Sequence, residues 1–159
     1  MSTLLTQDLL DQYQRAIAML GDTIEKFDRQ QWTHGLSAFQ VPAKVAYHTL
    51  ECLDAYFRED PNADYLWGHR FGAPYWELAD DEQPSQEALI EYLGEIEARI
   101  KDELSALTDD QLAAPHDAER RHAQTRLGHY VYALRHTMHH HGALTLLSVY
   151  HGNQGGSWA

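Results

Sequence analysis

The sequence has little cysteine, little positive charge and no long apolar run. A single cysteine, Cys52, occurs among 159 residues, which excludes an internal disulfide and suits a reducing compartment. Twelve Lys and Arg stand against 24 Asp and Glu, giving a formal charge of −12. Binding to a phosphate backbone needs clustered cations, so no nucleic-acid partner is expected. No apolar stretch is long enough to span a bilayer, and the first residues lack the pattern of a secretory signal. We therefore expect a cytoplasmic protein without a membrane partner.

The remaining composition is that of an ordinary globular protein. The hydrophobic fraction of 43% and the charged fraction of 23% are typical of globular chains. We expect one domain over residues 1–159, which is long enough to bury a substantial core. The sequence contains no internal repeat, no glycine-rich phosphate loop, no CxxC pair and no serine nucleophile elbow.

Apolar periodicity predicts four helices, at about residues 4–27, 41–58, 85–107 and 125–150. Ser85 is a suitable N-cap for the third helix. No segment shows the alternating pattern of a half-buried strand. The pattern therefore predicts an all-α fold, a four-helix bundle. The apolar stripe of the first helix consists of Tyr13, Ile17, Leu20, Ile24 and Phe27.

A long connection, residues 60–83, separates the second and third helices. Its prolines and glycines stop helices. A loop of this length is uncommon in a compact domain and is often functional. Two roles stay open: a packed cap that closes one side of the bundle, or a lid over a substrate site. The aromatic residues of this connection are Tyr65, Trp67, Phe71, Tyr75 and Trp76.

The most informative segment is 136–142, which holds four of the eleven histidines. His136 and His140 are four positions apart, so on a helix their rings leave the same face one turn apart. Two imidazoles so placed can reach one transition-metal ion. Such a pair also arises by chance in a histidine-rich chain. The two histidines would then lie on a solvated helix surface, or in the core with hydrogen bonds to the backbone and water.

The surroundings of the histidines favour the metal. His136 and His140 lie on an apolar, core-facing side of the fourth helix, and His48 is the one strongly polar residue on the apolar stripe of the second. Three protein ligands with one open position are typical of catalytic zinc, and imidazole also suits nickel and iron. Cys52, one turn beyond His48, is a candidate fourth ligand or a residue lining the site.

These residues give the chain a resemblance to the DinB-like family of metal-binding four-helix bundles, which includes thiol-dependent S-transferases and the mycothiol-dependent maleylpyruvate isomerase. His48 matches the family histidine of the second helix, and His136 and His140 match the pattern H-x-x-x-H-x-G-Q-L of the last. The resemblance implies that these three bind a divalent metal, zinc or nickel, with a low-molecular-weight thiol as cosubstrate in a homodimer. Ala143 stands where the family often has Gln. Alanine cannot make the side-chain hydrogen bond that a Gln at this position could make to a metal-ligating residue.

Other histidines are weaker candidates. His129, two turns before His136, and His139, about 60° from it around the helix, are reserve ligands. His141 points to the other side of the helix. The histidines expected at the surface, in loops or near helix ends, are His34, His69, His116, His122 and His151.

Several functions follow from these residues. The resemblance points to a metal-dependent thiol S-transferase acting on a small molecule. A metal-dependent hydrolase would use Glu51 as its general base, although we expect Glu51 to be a surface carboxylate. A non-catalytic module would enclose a small ligand with the aromatic connection, and a purely structural metal would lock the bundle through a closed fourth position. No residue is assigned a catalytic role by the sequence.

Overall fold

The computed structural model describes residues 3–58, 60, 62–116 and 123–159. Over these residues the protein is helical, without any β-strand, and the predicted all-α class is confirmed. A short 3₁₀ turn, Asp80–Glu82, lies within the connection. The helices are α1 (Leu4–Glu25), α2 (Arg29–Trp32), α3 (Pro42–Tyr56), α4 (Gln86–Ala106), α5 (Asp109–Ala113) and α6 (Arg126–Tyr150).

The four long helices form the bundle. Helix α1 packs mainly against α4 and α6, and α3 packs against the same two helices. The predicted stripe of α1 is buried in the shared core, and so is the stripe of α4 from Leu89 to Leu107. Among the residues described, no helix is both long and apolar enough to cross a membrane.

The helix ends lie within a few residues of their predicted positions, because local capping marks them. The Ser85 hydroxyl accepts a hydrogen bond from the backbone N–H of Ala88, as expected for the start of α4. Helices α2 and α5 were not predicted. They have four and five residues and depend on the caps Asp28 and Thr108, so they are too short to show an apolar stripe.

Helix α6 is only partly enclosed by the bundle. It packs on α1 and α3, but Val131 and, near its end, Leu146, Val149 and Tyr150 are exposed. The C-terminal tail after α6 packs beside the end of α1, where Lys26 Nζ donates to the carbonyl of Gly155 at 2.8 Å. Trp158, near the end of this tail, is 87% exposed and does not anchor it.

Buried polar side chains of α3 hold the connection against the bundle. The Tyr47 hydroxyl donates to the carbonyl of Ala73 at 3.0 Å, and the Tyr65 hydroxyl donates to Asp54 at 2.7 Å. Glu51 is fully buried and accepts a hydrogen bond from the connection, so its expected surface position was wrong. The connection thus packs as a cap, and this packing brings its aromatic residues beside the histidines.

Candidate metal centre

Two facing helices bring three imidazoles together. His48 projects from α3, and His136 and His140 project one turn apart from α6. One ring nitrogen of each lies within 4.8 Å of the other two, and the Nε2 atoms of His136 and His140 are 3.2 Å apart. Within the described part of the chain, no other group of three His, Cys, Asp or Glu side chains shows this arrangement. The three ligands expected from the sequence therefore form one cluster.

The geometry of this cluster fits a tetrahedral transition-metal ion. With bonds of about 2.0–2.1 Å, two nitrogens on one zinc ion lie about 3.3 Å apart. The His136–His140 pair already has this spacing, and a ring nitrogen of His48 lies within 4.8 Å of both. Three imidazoles suit zinc or nickel, whereas calcium and magnesium prefer oxygen ligands.

Two of these imidazole rings have lowered pKa values, which keep them unprotonated near neutral pH. Burial, together with the charge of the neighbouring His140, lowers the pKa of His48 to about 4. Burial also lowers the pKa of His140 to about 4, with contributions from His136 and His139. Both rings are therefore neutral near pH 7, which is the state in which imidazole binds a metal.

Cys52 lies beside the cluster without joining it. Its Sγ atom is 3.7 Å from both ring nitrogens of His48, yet the group of mutually close donors contains only histidines. Burial and the nearby Glu51 raise the pKa of the Cys52 thiol to about 12, so the thiol holds its proton at neutral pH. Among the described residues, no fourth protein donor completes the set.

The reserve histidines lie elsewhere. His129 is buried, with Nε2 3.0 Å from the carbonyl oxygen of Tyr56 and its ring 4.3 Å from that of His116. His139 is exposed, outside the cluster. His141 is buried on the other side of α6, with Nε2 3.1 Å from the Thr23 hydroxyl. None of the three substitutes for His136 in this arrangement.

Four further histidines, His34, His69, His116 and His151, are also outside the cluster. His34 and His69 are exposed as expected, and His151 is partly buried. His116 is buried, so its expected surface position was wrong. His122 lies outside the described residues.

Aromatic rings flank the cluster on two sides. The ring of Tyr75, from the connection, lies 5.0 Å from that of His48. Tyr56 lies 5.7 Å from His136, and Tyr132 stacks on the same imidazole at 6.4 Å. Sequence reasoning missed Tyr56 and Tyr132 as neighbours of the site. Helical spacing carried the signal, because Tyr132 precedes His136 by four positions and Tyr56 follows Cys52 by four.

Comparison with known families agrees with this arrangement. The family model of the DinB superfamily matches residues 41–144, from the start of α3 into the second half of α6. This match spans well over half of the chain and includes all three clustered histidines. The protein belongs to the DinB superfamily. Helix α1 and the last residues of α6 lie outside the matched range, and no curated protein matches the sequence.

Proposed function

We propose that this DinB superfamily member is a metal-dependent enzyme, a thiol S-transferase acting on a small electrophile. His48, His136 and His140 would hold a divalent transition metal, zinc or nickel, and leave one position open for a low-molecular-weight thiol. The observation that carries the proposal is the half-buried cluster of three imidazoles from two helices, with no fourth protein donor among the described residues. Three protein ligands with an open position are typical of catalytic rather than structural sites.

A bound divalent ion would supply Lewis acidity, which lowers the pKa of a thiol or water at the open position and keeps it nucleophilic near pH 7. The chain's own residues have simpler tasks. The neutral imidazoles bring no negative charge, so the positive charge of the ion is left to act on the incoming ligand. Cys52 does not belong to the group of mutually close donors, so the open position is left to an external thiol.

The position of Glu51 favours a thiol over water as the nucleophile. The hydrolase considered from the sequence would use Glu51 as the general base, within hydrogen-bond reach of the attacking water. Glu51, the sequence candidate, instead accepts the N–H of Gly68 and does not belong to the clustered donors. A thiol at the metal needs no such base, because the ion alone favours the thiolate.

A homodimer is part of the proposal. The apolar stripes of α1 and α4 are buried inside the bundle, so they are not available as its interface. The exposed apolar residues Leu146, Val149 and Tyr150 of α6 are the alternative face. Light scattering on wild type and Leu146→Asp tests this directly: a monomeric wild type would contradict a dimer, and an unaffected dimer would exclude this face.

The metal content of the purified protein tests the proposed centre. We expect about one transition-metal ion per chain in wild type and almost none in His48→Ala, by elemental analysis. Thiol-dependent consumption of a panel of electrophiles, such as 1-chloro-2,4-dinitrobenzene and maleylpyruvate, then tests the enzyme. Metal absent from wild type even after reloading, or retained by His48→Ala, would contradict the shared site. Metal and thiol binding without turnover would instead indicate a binding module.

A further inference from the structure

A polar cavity of about 400 Å³ lies between the connection and α4, apart from the histidine cluster. This volume is within the range of about 300–1,000 Å³ that is usual for small-molecule sites. None of its lining residues belongs to the cluster. Asp54 follows His48 on α3 by six positions, which places the two side chains about 120° apart around the helix. The residues that line the cavity are Asp54, His69, Arg70, Tyr92, Glu95 and Arg99.

Asp54 is buried in the wall of this cavity, and its carboxylate already has several donors. Only 3% of Asp54 is exposed. The hydroxyls of Tyr65 and Tyr92 donate to its Oδ2 atom at 2.7 and 2.6 Å, and Nη2 of Arg99 donates to its Oδ1 atom. His69 Nε2 lies 3.4 Å from the same Oδ2 atom. Asp54 therefore holds Arg99 in place and balances its charge, and it offers little acceptor capacity to a ligand.

The two arginines of the cavity keep donors that the protein does not use. A guanidinium has five N–H donors. Among the described residues, Arg99 uses only Nη2, toward Asp54, and its Nε atom is buried without an acceptor. Arg70 likewise uses only Nη2, which lies 2.6 Å from Glu95. Buried donors in folded proteins normally have a partner, so this cavity lacks acceptors.

The charges of the cavity favour an anion over a cation. A cation would meet two guanidinium groups, and the carboxylates at the rim, Glu91 and Glu95, are already 3.6 and 2.6 Å from Arg70 Nη2. A planar carboxylate presents two oxygens that match the N–H fork of a guanidinium. A phosphate dianion would bring more negative charge toward Glu91 and Glu95, so a monoanionic carboxylate is the better match.

We infer that this cavity binds the carboxylate of a small organic acid, which bridges the unused donors of Arg70 and Arg99. Both guanidinium groups are positioned before the ligand arrives. That of Arg70 lies 5.8 Å from the centroid of the Tyr92 ring, and that of Arg99 is bonded to Asp54. The cavity needs no metal, so this inference goes beyond the proposed function and does not depend on it.

Isothermal titration calorimetry at neutral pH with benzoate and benzamide tests the inference, because the two probes have nearly the same shape and differ in charge. We expect benzoate to bind at least about tenfold more tightly, since charge-assisted hydrogen bonds are about twice as strong as neutral ones. Arg70→Gln and Arg99→Gln should each weaken benzoate binding about tenfold or more. Glu95→Gln should instead strengthen it about two- to fivefold, because it releases Arg70 from an exposed ion pair.

Control variants separate this cavity from other sites. Arg15→Gln removes an exposed arginine of α1 that is paired with Asp11, and it should leave benzoate binding unchanged. A carboxylate bound to an ion at the histidine cluster would be lost in His48→Ala, whereas binding in the cavity should survive. Arg99→Gln removes the partner of a buried carboxylate, so circular dichroism checks its fold. Arg70→Gln, at the rim, tests the site independently.

Several results would overturn the inference. These are undetectable benzoate binding, equal affinity for benzoate and benzamide, or benzoate binding that is unaffected by Arg70→Gln. Loss of benzoate binding in His48→Ala would place the carboxylate at the histidine cluster instead. Tighter binding of inorganic phosphate than of benzoate would overturn the choice of a carboxylate. Absence of metal from the histidine cluster would overturn the proposed function and leave this inference standing.

Discussion

The backbone N–H of Gly68 donates to Oε1 of Glu51 at 2.5 Å, and this bond ties the middle of the connection to the buried side of α3. Glu51 is fully buried, and burial raises the pKa of its carboxyl above the usual value. Burial therefore shifts this carboxyl toward its protonated form relative to the unfolded chain. The contact needs an acceptor oxygen at this position and does not need a charge.

We accordingly predict opposite results for two substitutions at this position. Glu51→Gln keeps the acceptor and removes the ionisation, so its free energy of unfolding near neutral pH should equal or exceed that of wild type. Glu51→Ala leaves the Gly68 N–H without its acceptor and should lose about 1–3 kcal/mol. Urea denaturation measures both. Equal destabilisation by Gln and Ala would show that the negative charge itself holds the connection.

The pH dependence of wild type against Glu51→Gln has a definite sign. Because the folded-state pKa is raised above the ordinary 4.5, the folded protein binds more protons than the unfolded chain between these two values. The contribution of Glu51 to stability is therefore fully present below 4.5 and is lost as pH rises through the raised pKa. The stability difference, Glu51→Gln minus wild type, should grow over this window.

Denaturation of both proteins at a series of pH values measures this difference. The buried histidines titrate in the opposite sense, since their lowered pKa values cost stability as pH falls, but they are common to both proteins and cancel. A difference that is constant with pH would contradict the raised pKa of Glu51.

Gly68 and Gly94 offer a matched pair for the backbone of the connection. Gly68 has φ of 81°, and a Cβ there would lie 2.3 Å from the carbonyl carbon of Ala73. Gly68→Ala should therefore destabilise the protein by at least about 1 kcal/mol. Gly94 lies exposed within α4 with open space around it, so Gly94→Ala should stabilise by about 0.5–1 kcal/mol. Thermal denaturation compares the two. A neutral Gly68→Ala would mean that the turn relaxes freely.

The sequence predicted the parts of the fold that repeat over many residues. Apolar side chains recur along 15 to 25 residues in each long helix, so the four helices and their ends were found within a few positions. The clustering of His48 with His136 and His140 was predictable for the same reason, because each lies on the core-facing side of a long helix. Helices α2 and α5 rest on one or two turns and a cap, which leaves no periodic signal.

What the sequence could not predict depends on contacts between distant segments. Glutamate is mostly exposed in folded proteins and histidine is intermediate, yet Glu51 and His116 are both buried here. Glu51 is buried because the connection folds back over α3, and no local pattern near Glu51 encodes that contact. The exposure of Trp67 and Trp76 is equally non-local, since their composition alone suited either a packed cap or a lid.

Adjacent histidines in α6 give the sharpest test of the metal centre. His140 Nε2 lies 3.2 Å from that of His136 inside the cluster, whereas His139 is exposed outside it. His140→Ala should weaken zinc binding at least about 100-fold. Removing only the hydrogen-bond partner of a metal ligand already lowers metal affinity about 10- to 100-fold, and His140 is itself one of the proposed ligands. His139→Ala removes the same atoms one position away. Because His139 is exposed and is not in the cluster, this variant should change the affinity for zinc by less than about threefold. Competition with a chromophoric chelator measures both dissociation constants, and circular dichroism checks that each variant is folded.

Equal losses of zinc affinity in the two variants would mean that the histidine-rich stretch binds zinc through its surface. The cluster shared between α3 and α6 would then have no role in holding the ion.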